Sequence, residues 1–336
     1  MELAKRPQRF GEHRNAFGFL RLLFASLVII SHTPALLDDG SRDPLVLLFG
    51  GFSLGHTAVL GFFIISGFLI TGSYNNSSNL QSYLKKRVAR IYPAYIVAFL
   101  FCLFIVAPLG GGEGYGNWLA WITLTPPVNV TAFEGTAYAS TLNGSMWTIQ
   151  IEFLCYLAVI AIGLVGLLNK PVVIALCAAL ALVLHSAAIN VLGLTIYPGG
   201  FQKLELLGAF LAGSAFYGIQ ERLELSWAKI AISAVGLMLC LAFQPLATIG
   251  CATFGAYLIF AVAKWGAGTW LADVNNATDI SYGVYLYAFP VSKLIIWYGV
   301  TSALAVNVLT WMIAALLGYF SWVWIERPVM EFVRKK

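Results

Sequence analysis

The sequence predicts an all-α fold, a polytopic transmembrane helical bundle of about ten transmembrane helices with both termini cytoplasmic. Three observations predict it. Hydrophobic residues make up 60% of the 336 and charged residues only 10%, with a mean hydropathy of +0.81; a soluble domain has no interior large enough to hide that much apolar surface. Runs of about twenty apolar residues recur, the length a helix needs to cross a hydrocarbon core of about 30 Å. The runs lack the period-two alternation of barrel strands, and only helices or closed barrels satisfy the backbone inside a bilayer.

Ten spans follow in order: 17–37, 53–71, 88–109, 146–168, 172–192, 204–218, 228–243, 249–263, 281–298 and 304–325. The charge pattern orients them. Lys5, Arg6, Arg9 and Arg14 precede the first span, and Lys85, Lys86, Arg87 and Arg90 fall in the second connection. Lys170, Arg222, Lys229 and Lys264 fall in later even connections, and Arg327, Arg334, Lys335 and Lys336 in the tail. All lie on one face, which the positive-inside rule makes cytoplasmic. The odd connections carry mainly Asp38, Asp39, Asp43, Glu113 and Glu134, with Arg42 and Lys203 as exceptions. The first apolar run is too long for the core of a signal peptide and has no clear small-residue cleavage site, so it is expected to be a retained helix.

The chain reads as a single membrane domain over 1–336, with 1–16 as a cytoplasmic segment and 110–145 as an extracytoplasmic loop rich in Gly, Pro, Trp and Tyr. Such a loop either covers a site and contacts a carbohydrate through aromatic faces or is a partly buried connector. The net charge of +5 is gathered in topology-setting stretches, so no nucleic-acid partner is expected. Cys102, Cys155, Cys177, Cys240 and Cys251 lie in or beside apolar runs without CxxC or Cys/His spacing. They predict neither a metal site nor a disulfide framework.

Ionisable groups are costly at membrane depth and by default face a bundle interior or a cavity. In FGFLRLLFASLVIISH, Arg21 and His32 are eleven residues apart, which returns them to within about 20° of one helical face and separates them by about 16 Å. Taken singly, Arg21 reads equally as a snorkelling side chain and His32 as a satisfied core residue. His56, at the outer end of the second span, is either a second polar group beside His32 or an interfacial residue. Arg87 and Arg90 share a face at the cytoplasmic start of the third span. Topology alone explains basic residues there, although the arginine fork also suits phosphate. Glu326 in WIERP reaches the same end and is expected to pair with one of these arginines. In NGSMWTIQIEFLCY, Gln150 and Glu152 fall early in the fourth span, with Tyr156 one turn beyond Glu152. A carboxylate there must be paired, protonated or solvated, and His32 and Glu152 are expected at similar depth in the outer half.

In this order, these segments resemble the acyltransferase-3 family of bacterial membrane O-acyltransferases, which modify exopolysaccharide and lipopolysaccharide sugars. The resemblance rests on Arg21 and His32 with ten residues between them, FFIISGFLI (62–70), RIYP (90–93), SMWTIQIEF (145–153), ISYGVYLYAFP (280–290) and SWVWIERP (321–328). It covers nearly the whole chain. It implies transfer of an acyl group, expected to be acetyl, from acyl-CoA (acetyl-CoA) at the cytoplasmic face of the inner membrane. The acceptor would be a carbohydrate: an exopolysaccharide repeat unit, a lipid-linked oligosaccharide or lipopolysaccharide. The resemblance implies catalytic roles for His32 and Glu152 and contacts from Arg21, Arg87 and Arg90 to CoA phosphates. His56, Gln150 and Tyr156 are candidate substrate contacts, lipid surrounds the bundle and no metal is called for. Two positions depart from the family pattern: VLG precedes FFIISG where many relatives carry an acidic residue, and Ala288 stands where many carry histidine. A proton-coupled transporter or flippase of a polysaccharide precursor is the alternative; its expected signature, paired discontinuous segments in two related halves, is not found.

Overall fold

The computed structural model describes residues 15–37, 42–113, 118–127, 131–139, 141–194, 200 and 202–335. The basic residues Lys5, Arg6, Arg9, Arg14 and Lys336 and the acidic Asp38 and Asp39 lie outside them. Among the described residues there is no β-strand, and the helices are α1 (Phe17–Leu36), α2 (Pro44–Phe49), α3 (Leu54–Asn75), α4 (Leu80–Leu109), α5 (Trp147–Leu164), α6 (Pro171–Asn190), α7 (Gln202–Ile219), α8 (Trp227–Ala242), α9 (Gln244–Trp265), α10 (Ser281–Trp297) and α11 (Ala303–Lys335). Each predicted span coincides with one of these. Seven, namely α1, α3, α4, α5, α6, α9 and α11, are long and apolar enough to cross a membrane by length and composition. The expected count of about ten is therefore carried by seven helices of span length and three that fall short. Of those three, α8 has 16 residues, α10 has 17 and α7 opens on the polar QKLE.

Three helices widen for one turn into π geometry, at Cys102–Val106 in α4, Cys251–Gly255 in α9 and Trp322–Glu326 in α11. Prolines lie within α1, α4 and α10: Pro34, Pro93 and Pro290 each remove one backbone donor.

The chain forms two compact units. The first comprises Met1–Arg21, Val59–Leu80 and Cys155–Ala277. Within it α3 and α7 meet backbone to backbone: a Cβ on Gly67 would stand 1.8 Å from the Phe210 carbonyl oxygen, and one on Gly213 1.9 Å from that of Ile64. Without hydrophobic pressure between helices in lipid, such close approach is how packing energy is gained. Phe17, Phe68, Phe216 and Phe260 pack ring against ring beside this seam. Between α6 and α7, His185 Nε2 and the buried Glu205 Oε2 are 3.1 Å apart.

The second unit comprises Leu22–Ala58, Gln81–Leu154 and Thr278–Lys336. Here α10 and α11 touch through Gly283 and Gly318, where a Cβ on the former would lie 2.5 Å from the latter's Cα. Lys293 of α10 is buried. Its ammonium donates to the carbonyls of Tyr138 (2.7 Å) and Thr141 (3.0 Å) and lies 4.4 Å from the Phe133 ring centroid, fastening part of the 131–141 segment to the helix.

Candidate active site

The second unit holds most of the residues singled out above. At the end of α1, His32 lies edge-on to the Phe289 ring of α10, with centroids 5.3 Å apart. Its Nδ1 is buried and meets no hydrogen-bond partner among the described residues. Its neighbours are firmly placed. Ser31 donates to Asp43, and Thr33 hydrogen-bonds Ile29 O (3.1 Å) and Asn307 Oδ1 of α11 (2.6 Å).

Asp43 organises this end. It is 2% exposed and accepts from Ser31, from the Leu45 and Val46 amides at the start of α2 (2.9 and 3.2 Å) and from the Leu54 amide at the start of α3 (3.0 Å). Asp followed by Pro is an N-cap with proline in the first helical turn, which explains why the sequence starts a helix here. Every donor among the described residues is neutral, and Ser31, which donates to this carboxylate, directly precedes His32. Gly55 lets α3 approach, since a Cβ there would lie 2.7 Å from Ser31 Oγ. His56, the next residue, rests on Phe52 with ring centroids 4.6 Å apart. Ser31 and Gly55 are thus in contact, each with a histidine as its next neighbour in the chain.

A second cluster forms where α4, α10 and α11 meet. Arg90 donates to Asp279 at 2.7 Å and to Glu326 at 3.2 Å, while Tyr282 and Trp322 lie 5.6 and 6.0 Å from the guanidinium carbon. Ser281 donates to Asp279 and Ser321 to Glu326. The expected pairing of Glu326 with an arginine is present, and Arg90 is the partner. Both terminal nitrogens of Arg90 thereby face carboxylates, which bears on its expected phosphate contact. Arg87 lies one turn earlier, half-buried, with its guanidinium 5.9 Å from the Tyr83 centroid.

Relative depth can be read from the helices. Tyr282 at the start of α10 donates to Ile91 O of α4 (3.2 Å), and Phe289 lies seven residues further along α10, about 10 Å of rise. The ring of Phe153 packs edge-on against Tyr92, 5.5 Å between centroids. Glu152 precedes Phe153 and so stands near the level of Arg90, while His32, beside Phe289, is about 10 Å away along the bundle. The expectation that Glu152 and His32 share a depth is corrected here, because α5 begins well inside the bundle. Gln150 donates to Thr123 O (2.8 Å).

Arg21 and Tyr156 belong to the first unit, the former half-buried on α1 and the latter 3% exposed on α5. In the sequence Asp43 counts only toward topology, and Asp279 has no role there. The Asp-Pro dipeptide was the available signal for Asp43. Asp279 had none, since its partner lies 189 residues away. No group of three or more His, Cys, Asp or Glu arranged for a metal occurs among the described residues.

Comparison with known proteins agrees with the resemblance. A family model described as an acyltransferase domain matches residues 14–327. The chain is similar to an O-acetyl transferase of Shigella phage Sf6, 28% identical over 93% of this chain and 95% of the phage protein. It is also similar to Nodulation protein 10 of Rhizobium leguminosarum bv. viciae, 27% identical over 95% and 94% of the respective chains. Acyltransferase MdmB of Streptomyces mycarofaciens matches at 31% identity over 31% of this chain and 27% of its own. No solved structure matches.

Proposed function

This chain belongs to the acyltransferase-3 family, and from that premise we propose that it moves an acetyl group from cytoplasmic acetyl-CoA to a hydroxyl of an extracytoplasmic carbohydrate. The acceptor is an exopolysaccharide repeat unit, a lipid-linked oligosaccharide or lipopolysaccharide. The multi-pass helical architecture and the relatives support O-acyl transfer in a membrane.

One observation carries the assignment of His32. A buried polar atom left without a hydrogen bond costs about 1–3 kcal/mol, and His32 Nδ1 is such an atom among the described residues. A substrate hydroxyl is the partner that relieves this cost. In the proposed step the imidazole accepts the hydroxyl proton while the oxygen attacks the thioester carbonyl. The carbon–sulfur bond breaks, and the CoA thiolate leaves and takes up the proton. Asp43 stabilises the imidazolium that forms in between.

At the donor end, Arg87 holds the CoA phosphates, as the planar fork of arginine favours. Arg90, committed to Asp279 and Glu326, fixes the helix that carries Arg87. The pantetheine arm then covers the interval to His32, comparable to the rise of about 16 Å between Arg21 and His32 on α1. Glu152, near the Arg90 level, acts on this donor side. His56 is a further substrate contact in the second unit.

The test is the ester content of surface glycans from a strain lacking the protein, complemented with wild type, His32→Ala or His32→Gln. Wild type restores the acetyl ester, and both variants, present in the membrane at equal amounts, lose activity by about 10²–10⁴-fold. Retained transfer by His32→Ala removes the assignment.

A further inference from the structure

The SMWTIQIEF segment opens on Ser145, a residue to which the proposed step gives no role. Residues 143–148, which lead into α5, lie along one turn of α10. Asn143 Nδ2 donates to Leu286 O (2.7 Å), Thr148 Oγ1 shares a hydrogen bond with the Tyr285 hydroxyl (2.8 Å), and a Cβ on Gly144 would stand 2.6 Å from Cε2 of Phe289. Gly144 is thus in contact with the ring, and any larger residue would push the segment off it. Phe289 is also the ring against which His32 stands edge-on, with centroids 5.3 Å apart. Tyr285 and Phe289 are four residues apart, about 6 Å of rise, so Ser145 is held within about one helical turn of the level of His32.

The backbone of Ser145 is fixed, while its hydroxyl is not engaged. The amide donates to Asn143 Oδ1 (3.1 Å), and the carbonyl accepts from Thr148 Oγ1 (3.3 Å). The residue is 1% exposed, yet Oγ meets no hydrogen-bond partner among the described residues. A serine just before a helix usually caps it by accepting from an amide of the first turn. Here α5 starts at Trp147, and the hydroxyl accepts from none of those amides. A buried hydroxyl left in this state costs stability. His32 Nδ1 is in the same state, so two unpaired buried atoms belong to residues gathered around Phe289. One can take a proton and the other can donate a hydrogen bond. Acyl transfer makes these two demands, at the attacking oxygen and at the carbonyl oxygen.

We propose that Ser145 is a catalytic residue, its hydroxyl donating a hydrogen bond to the carbonyl oxygen of the acetyl thioester. This rests on the acyl transfer at His32 read above. The acceptor oxygen gives its proton to His32 and bonds to the carbonyl carbon, and the carbonyl electron pair moves onto its oxygen. Ser145 holds that oxyanion and keeps its own proton throughout. The carbonyl then re-forms as the carbon–sulfur bond breaks, and the CoA thiolate takes the proton from His32. A serine acting as nucleophile needs a base within hydrogen-bond reach, and Ser145 Oγ has none among the described residues.

The test uses membranes of a strain lacking the protein, which carry the acceptor glycan, complemented with full-length variants and supplied with radioactive acetyl-CoA. Ser145→Ala should lower kcat for label transfer to glycan by about 10²–10³-fold, with KM for acetyl-CoA within about twofold of wild type. Its melting midpoint should equal or exceed that of wild type, because removing an unpaired buried hydroxyl removes a cost. Ser145→Cys keeps a weaker donor of similar size and should fall between the two in rate; it serves alone if the alanine variant does not reach the membrane. Wild-type kcat in either variant overturns the proposal, and so does a loss confined to KM. Recovery of the label as an acetyl ester on Ser145 overturns it too, since that is the chemistry of a nucleophile. Failure of the underlying reading shows separately, as wild-type membranes that transfer no label or a His32→Ala protein that transfers it at the wild-type rate.

Discussion

Asp43 at one end of the second unit and the Asp279–Glu326 pair at the other are all buried carboxylates, 2%, 5% and 0% exposed, yet they are satisfied by different means. Asp279 and Glu326 share a guanidinium, while among the described residues Asp43 receives only neutral N–H and O–H donors. Hydrogen bonds from neutral groups satisfy lone pairs without cancelling charge, so Asp43 keeps near His32 a charge that the other pair shares with Arg90. The arginine end is an anchor, and in the proposed mechanism the histidine end is where the imidazolium forms.

The most severe way to break this contrast is at Arg90. Arg90→Ala strips two buried carboxylates of their counter-ion, and breaking such a pair costs about 3–5 kcal/mol. Little folded protein should survive detergent extraction and size-exclusion chromatography, and Arg90→Lys should recover only part of it because an ammonium lacks the fork. A folded, active Arg90→Ala protein would mean the anchor is dispensable. A subtler change sharpens the other side. Asn caps helices as well as Asp, so Asp43→Asn should keep the fold, with a melting midpoint close to wild type. Transfer should fall by about 10–100-fold, as expected for a lost charge interaction of about 1–3 kcal/mol at an effective dielectric of about 20. Unchanged kcat would show that Asp43 is only a cap, and the two ends would then be alike.

The smallest effect is expected outside both clusters. Lys229 donates to Glu224 at 2.9 Å, and the ammonium holds that carboxyl below the usual carboxylate range. A lowered value means that any stabilisation is present at neutral pH and lost as pH falls through it. The carboxylate is fully exposed, where such pairs contribute little. Glu224→Gln should leave activity and the acid side of the stability profile unchanged, and a measurable acid shift would contradict that ranking.

Hydropathy was enough to locate every long helix, because a span of twenty apolar residues is written locally. Glu326 was legible too, since a carboxylate beside a basic helix end must find a cation. Depth was not. The span ending at Leu109 begins eight residues before its apolar stretch, at Leu80, and α5 begins inside the bundle, so a residue's position within its own span misplaced Glu152. Ser145 was hidden for another reason: it reads as an ordinary helix start until its hydroxyl is found to bind no amide. His185 and Glu205 went unremarked because twenty residues separate them in the sequence, and only the packing of α6 on α7 brings them together.

The three π turns bear on how such chains can be compared. Each holds one residue more than the α-helical turn it replaces, while the helix on either side keeps its phase. Losing that residue would restore an ordinary turn without rotating the flanking faces or shifting a neighbour. At Trp322–Glu326 this would leave Ser321 and the helix beyond in register. Sequence alignments with distant relatives should therefore admit single-residue gaps inside these apolar helices, at 102–106, 251–255 and 322–326, where a rule confining gaps to connections would slide the polar residues of α4 and α11 out of correspondence.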